Sequence, residues 1–136
     1  MGAKLNPAHV VLIGVRSFES GEEELLKNLN VKIYYMNEIK ERGLEEVFSE
    51  AIKIVTQGTK GFGISLDLDA IDPIEAPGVG TPEPNGLKAQ EVLSALSTLK
   101  HNKNFKAFEI AEYNPTLDIN HKTAALIQQC ILRLEP

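Results

Sequence analysis

Gly61-Phe62-Gly63-Ile64-Ser65-Leu66-Asp67-Leu68-Asp69-Ala70-Ile71-Asp72-Pro73 is the stretch on which the fold and the chemistry turn. Side chains alternate along a strand. Read as a strand over Gly61 to Asp69, Phe62, Ile64, Leu66 and Leu68 point one way, and Ser65, Asp67 and Asp69 the other. Two carboxylates then leave one face with roughly 7 Å between their Cα atoms. Such a pair suits either a solvated strand end or convergence on a hard cation such as Mg²⁺ or Mn²⁺. Two features favour the cation. Unpaired acids at the end of a central strand would repel and lose solvation, and Asp72-Pro73 adds a third acid at the mouth of a rigid loop.

Outward from this strand the chain alternates. Val10 to Val15 is a nearly continuous β-branched run, as in a strand buried on both faces of a parallel sheet. Ser20 to Asn30 starts with acids and continues with leucines, which suits a helix. Val31 to Met36 reads as a second strand. Leu44, Val47, Phe48, Ala51, Ile52 and Val55 have helical spacing, with Gly58 as a stop. Beyond the central strand, Leu87 to Leu99 reads as a helix, Phe105 to Glu112 as a fourth strand, and Asn120 to Leu134 as a last helix capped by Asp118 or Asn120. Strands alternating with helices predict an α/β fold, a three-layer α/β/α arrangement on one mainly parallel sheet, with residues 1–136 as a single domain. The long Pro- and Gly-rich loop Ala70 to Gly86 follows the carboxylate strand, where open α/β sheets bind ligands.

Composition narrows the function classes. The 136 residues carry 14 Lys+Arg against 19 Asp+Glu, a formal charge of −5, which argues against a nucleic-acid surface. The hydrophobic share of 43% is ordinary for a globular chain and is enough for a core. Cys130 is the single cysteine, so no intrachain disulfide or cysteine metal site exists. The N-terminus lacks the apolar core of a signal peptide, and Val10 to Val15 is too short to span a membrane. The expectation is a cytoplasmic chain without membrane or nucleic-acid partners.

The string Ser65-Leu66-Asp67-Leu68-Asp69-Ala70-Ile71-Asp72-Pro73, followed by Ala76-Pro77-Gly78-Val79-Gly80-Thr81-Pro82, closely resembles the signature of the ureohydrolases, the family of arginase, agmatinase and formiminoglutamase. Asn85-Gly86-Leu87 stands where that family usually has Gly-Gly-Leu. Glu109-Ile110-Ala111-Glu112-Tyr113-Asn114-Pro115 resembles the arginase segment with Glu-x-Asn-Pro, whereas agmatinases tend to have Ser-Pro. Ile13-Gly14-Val15-Arg16 with Glu19 and Glu22 is a third, looser likeness. The resemblance implies an arginase-like fold and a hydrolase that uses two Mn²⁺ ions to activate water against a guanidinium carbon and release urea. It implies Asp67 and Asp69 as metal ligands and Glu112 as partner of the guanidinium. Thr81 would lie at the substrate pocket and Glu19 would receive the ammonium. Glu109, Asp72 and Glu22 stand as supporting acids behind these. Full-length members of the family are trimers or hexamers, so a homo-oligomer is expected.

Read without the resemblance, Glu112 equally suits a solvated strand end, Glu109 a structural acid, and Glu19 and Glu22 ordinary helix-start acids. His9, His101 and His121 match no ligand position. The family takes its remaining ligands, including both His, from Gly-Gly-Asp-His and Asp-Ala-His-x-Asp, and neither motif occurs in this chain. No catalytic acid or base is therefore assigned here. The expectation is the C-terminal half of an arginase-like enzyme, inactive alone. The alternatives are an agmatinase, another guanidino or formimino hydrolase, or a non-catalytic module on the same fold.

Overall fold

The computed structural model describes residues 5–135. The chain divides into two compact units, one running to Phe62 and the other starting at Gly63.

The first unit contains β1 (Val11–Val15), α1 (Glu22–Asn28), β2 (Lys32–Tyr35), α2 (Met36–Arg42) and α3 (Leu44–Thr56). β1 and β2 pair in parallel, with Leu12 opposite Ile33 and an irregularity between Ile13 and Val15. Gly14 sits at that irregularity with φ +86°, a conformation open to glycine at little cost. Both α2 and α3 pack against β1. Sequence spacing predicts a strand through Met36, but the strand stops at Tyr35 and Met36 opens α2. Gly43, at φ +86°, then separates α2 from α3. Tyr34 is fully buried at 1% exposure, and its hydroxyl donates to Glu50 at 2.8 Å. Burial first, and the Glu50 carboxylate second, push that hydroxyl up to about 12. Arg42 ties the two helices by pairing with Glu38, Glu46 and Glu50.

The second unit holds β3, which spans Phe62–Asp67 from the boundary residue, then α4 (Ala89–Ser97), β4 (Phe105–Ala111) and α5 (Lys122–Leu134). β3 pairs with β4. A Cβ built on Gly63 would lie 3.4 Å from that of Ala107, and Ser65 Oγ donates to Glu109 at 2.6 Å. Two steps up one strand match two steps up the other, so the pairing is parallel. Val92, Leu93, Ala95 and Leu96 form the buried face of α4, which packs on α5, whose own buried residues are Thr123, Leu126 and Cys130. Each fully buried aliphatic side chain here contributes roughly 1.5–3 kcal/mol. Burial pushes the Cys130 thiol up to about 11, as suits a small apolar core residue.

The α/β class and the strand–helix alternation agree with the sequence. The sheet differs: the described strands form two separate pairs, β1–β2 and β3–β4, rather than one sheet. β1, whose composition suits burial on both faces, is only half-buried along Val11 to Ile13. Among the described residues no helix is long and apolar enough to cross a membrane.

Candidate functional site

The carboxylate strand ends one turn earlier than alternation suggests. β3 stops at Asp67, and Leu68–Ala70 forms a 3₁₀ turn. Asp67 causes this, because its Oδ1 accepts the Asp69 backbone N–H at 2.8 Å and caps the turn. Asp67 stays exposed at the carboxyl end of the strand, while Asp69 is half-buried. Asp69 therefore leaves from a turn and not from the strand face on which the sequence places it.

The loop beyond is built by hydrogen bonds at its base and middle. At the base, Asp72 N donates to Leu87 O at 3.0 Å and Leu87 N to Ala70 O at 2.9 Å. These make a parallel bridge between Ile71 and Leu87. Gly86 lies against it: a Cβ there would meet Asp72 N and Ile71 C at 2.6 Å, closer than any real contact. Asn85 takes φ +63°, which asparagine tolerates better than most residues. That explains how Asn85 can stand where the ureohydrolase pattern has its first glycine. Asp72 is buried, at 6% exposure, and its Oδ1 accepts Ile74 N at 3.1 Å. Its carboxylate holds the loop turn.

In the middle of the loop, Val79 forms an antiparallel bridge with Tyr113, and Asn114 N donates to Gly78 O at 2.8 Å. This pins the Pro77–Thr81 motif to the Glu112–Asn114 motif, which follows β4. Glu112 is not part of the strand. It lies just beyond it with φ +65°, a costly conformation for a non-glycine residue. Thr81 and Glu112 are both exposed. Asn114 shapes the next turn, its Oδ1 accepting Thr116 N at 3.1 Å and Thr116 Oγ1 at 2.6 Å. Spacing alone did not reveal the Val79–Tyr113 bridge; the Gly-rich loop and the Asn-Pro turn were its only signals.

The other predicted residues divide. Glu109 is exposed on the face that carries Ser65 and accepts its hydroxyl proton. Glu22 opens α1 and its carboxylate accepts Glu19 N at 3.2 Å, a local helix-start role. Glu19 lies in the turn before that helix, exposed. The second unit thus brings together the carboxyl ends of two neighbouring parallel strands, with Asp67 ending one, Asp69 in the turn beyond it, Glu112 just past the other, and the Thr81 loop pinned to the segment that follows Glu112. Asp67 and Asp69 are hard oxygen donors of the type Mn²⁺ prefers. They are too few for a complete shell, and among the described residues no three His, Cys, Asp or Glu side chains gather into a metal site.

Comparison with known proteins bears on this arrangement. A model of the arginase family matches residues 2–134. Arginase from Bacillus caldovelox is 42% identical over 123 residues, covering 90% of this chain and 41% of that protein. Its crystal structure superposes with a TM-score of 0.91 at 40% identity, over 96% of this chain and 44% of that one. Formimidoylglutamase from Bacillus subtilis superposes with a TM-score of 0.89 at 31% identity, over 95% of this chain and 41% of that one. The chain thus spans about two fifths of the length of the curated relative from Bacillus caldovelox.

Proposed function

The chain belongs to the arginase family, and on that premise we propose that it is the C-terminal part of a manganese ureohydrolase that cleaves L-arginine with water to L-ornithine and urea. One observation carries the proposal: two parallel strands end side by side, with Asp67 and Asp69 at and just past one end and Glu112 just past the other, and the loop of Thr81 is bonded across the second end. Ligands of α/β sheets bind at such strand ends.

Asp67 and Asp69 would hold the metal pair together with ligands from outside this chain. When bound, Mn²⁺ supplies the Lewis acidity that makes water a nucleophile near neutral pH. The chain's own residues bind and orient. Glu112 presents a carboxylate to the planar guanidinium, a match that is bidentate and charge-assisted. Its left-handed backbone turns the side chain off the strand direction at a cost the fold bears elsewhere. Thr81 would lie over the substrate, and Glu19 would take the ammonium. Ser65 donates to Glu109 beside Asp67 and stiffens that strand end. Asn114-Pro115, typical of the arginase pattern, favours arginine over agmatine.

The test is a fusion of this chain to the part of Bacillus caldovelox arginase that it does not match. With Mn²⁺ the fusion should release urea from arginine in preference to agmatine, and Asp67→Ala should abolish release. Unchanged turnover by Asp67→Ala would remove the metal role. Preference for agmatine would replace the substrate.

A further inference from the structure

The start of α5 carries none of the candidate site residues, yet it is bonded to both motifs that do. Thr123, the second residue of α5, is fully buried at 0% exposure. Its Oγ1 accepts the Gly78 N–H at 2.7 Å, and the same hydroxyl bonds to Asp118. Asp118 accepts the Thr123 and Ala124 N–H groups, each at 2.9 Å, and the Tyr113 hydroxyl at 3.2 Å. Tyr113 is bridged to Val79, and Gly78 O accepts the Asn114 N–H. The bonds close a ring through three segments: the Thr81 loop, the turn after Glu112 and the head of α5. The ring is tight at Gly78, where an added Cβ would lie 2.8 Å from Asp118 Cβ and 2.9 Å from Thr123 Oγ1. Starting the helix does not require the Thr123 hydroxyl, because Asp118 already satisfies two of the first N–H groups. A buried hydroxyl is costly to desolvate unless it is bonded. Here its bond goes to the loop.

We propose that Thr123 and Asp118 are positioning residues, and that through this ring the head of α5 sets where the Thr81 loop stands relative to Glu112. Little chain separates the ring from either group. Thr81 lies three residues beyond Gly78, and Glu112 immediately precedes Tyr113. Glu112 also has a left-handed backbone at φ +65°, which persists only where the surroundings hold it. The bridge and the Tyr113–Asp118 bond supply that hold on its carboxyl side. Thr123 and Asp118 act through the loop and the turn. The substrate roles of Thr81 and Glu112 rest on the proposed ureohydrolase reading. The coupling of their segments is measured without urea release, so the two can fail separately.

Amide exchange on the full 136-residue chain reads the ring directly. Thr123→Val leaves the buried Gly78 N–H without its acceptor. Exchange at Gly78 and Asn114 should quicken at least about tenfold, while the amides of residues 123 and 124 and of α4 keep near-parental rates. Thr123→Ser keeps the hydroxyl and should keep the protection. In the fusion with the unmatched part of Bacillus caldovelox arginase, Thr123→Val should raise KM for arginine about tenfold or more, with a smaller fall in kcat. Thr123→Ser should recover that KM, and Gln128→Val, exposed on the same helix, should change neither constant. If Thr123→Val fails to fold, Tyr113→Phe opens the ring at its exposed edge and should quicken the Asn114 amide at least about threefold. Overturning results are these: uniform quickening of all amides, quickening confined to α5, an Asn114 amide that Tyr113→Phe leaves unchanged, an unaltered KM in a fusion whose loop exchange has quickened, or Thr123→Ser as impaired as Thr123→Val. The expected exchange pattern in a fusion that hydrolyses neither arginine nor agmatine would uphold the coupling and remove the enzymatic proposal.

Discussion

Glu112 shows at the scale of one residue what a sequence can and cannot carry. Its identity within Glu-x-Asn-Pro was legible, and so was its nearness to a strand end. Its backbone was not, because alternation along β4 treats it as one more strand residue, whereas it sits at φ +65°. The left-handed region costs roughly 1–2 kcal/mol for a residue with a Cβ. Glu112→Gly in the isolated chain should therefore raise thermal stability, by about 1 kcal/mol, read as a higher melting temperature. In the active fusion Glu112→Gln keeps the strain and loses the charge. KM for arginine should then rise roughly tenfold to a hundredfold, the equivalent of a charged hydrogen bond. An unchanged KM would place the guanidinium elsewhere. Asp69 is a similar case. The competition between the Asp67 side chain and the strand ladder, which ends β3 and starts a turn, is a local bond that periodicity does not encode.

At the scale of elements, most boundaries were legible to within two or three residues because apolar spacing and glycines marked them. Helix α2 was not: no element is read from the sequence over residues 37–43, and the helix buries only Met36 and Ile39, too few to mark a helical face. The loop Ala70–Gly86 is the element on which the site depends, and its base tolerates no side chain at Gly86. Gly86→Ala should destabilise the chain by at least about 1–3 kcal/mol, because the added Cβ meets backbone and not a movable side chain. A denaturant midpoint equal to that of the parent chain would contradict this. The start of α5 should respond to pH. Burial raises the Asp118 carboxyl, but acceptance of the Thr123 and Ala124 N–H groups, with Tyr113 also donating, outweighs it and holds the group below its ordinary value. A depressed folded-state pKa stabilises above the unfolded value near about 3.9. That contribution is lost as pH falls through the folded value. Amide exchange in the first turn of α5 should quicken in acid below that range, and Asp118→Asn should remove most of the dependence.

For the whole molecule, the α/β class and the family followed from one string of residues, while the division of its strands did not. β1 to β4 were expected in one sheet and pair two by two. Strand pairing is a non-local property, and residues outside this chain can decide it. The proposed chemistry likewise needs ligands from outside this chain. As the proposed ligands, Asp67 and Asp69 would leave most of a manganese shell to water, which would give weak binding. The isolated chain should release no urea from arginine at any practical Mn²⁺ concentration, measured by a colorimetric urea assay. Turnover approaching that of the fusion would mean that two carboxylates suffice.

The bridge from Val79 to Tyr113 also sets an order of events. Its two ends are separated in the chain by α4 and the whole of β4. Long-range contacts of this kind form only after the intervening chain has been arranged. The loop that carries Thr81 therefore acquires its full shape only once β4 has been placed beside β3. The closure of the two motifs on each other thus depends on the strand pair that holds them and cannot precede it.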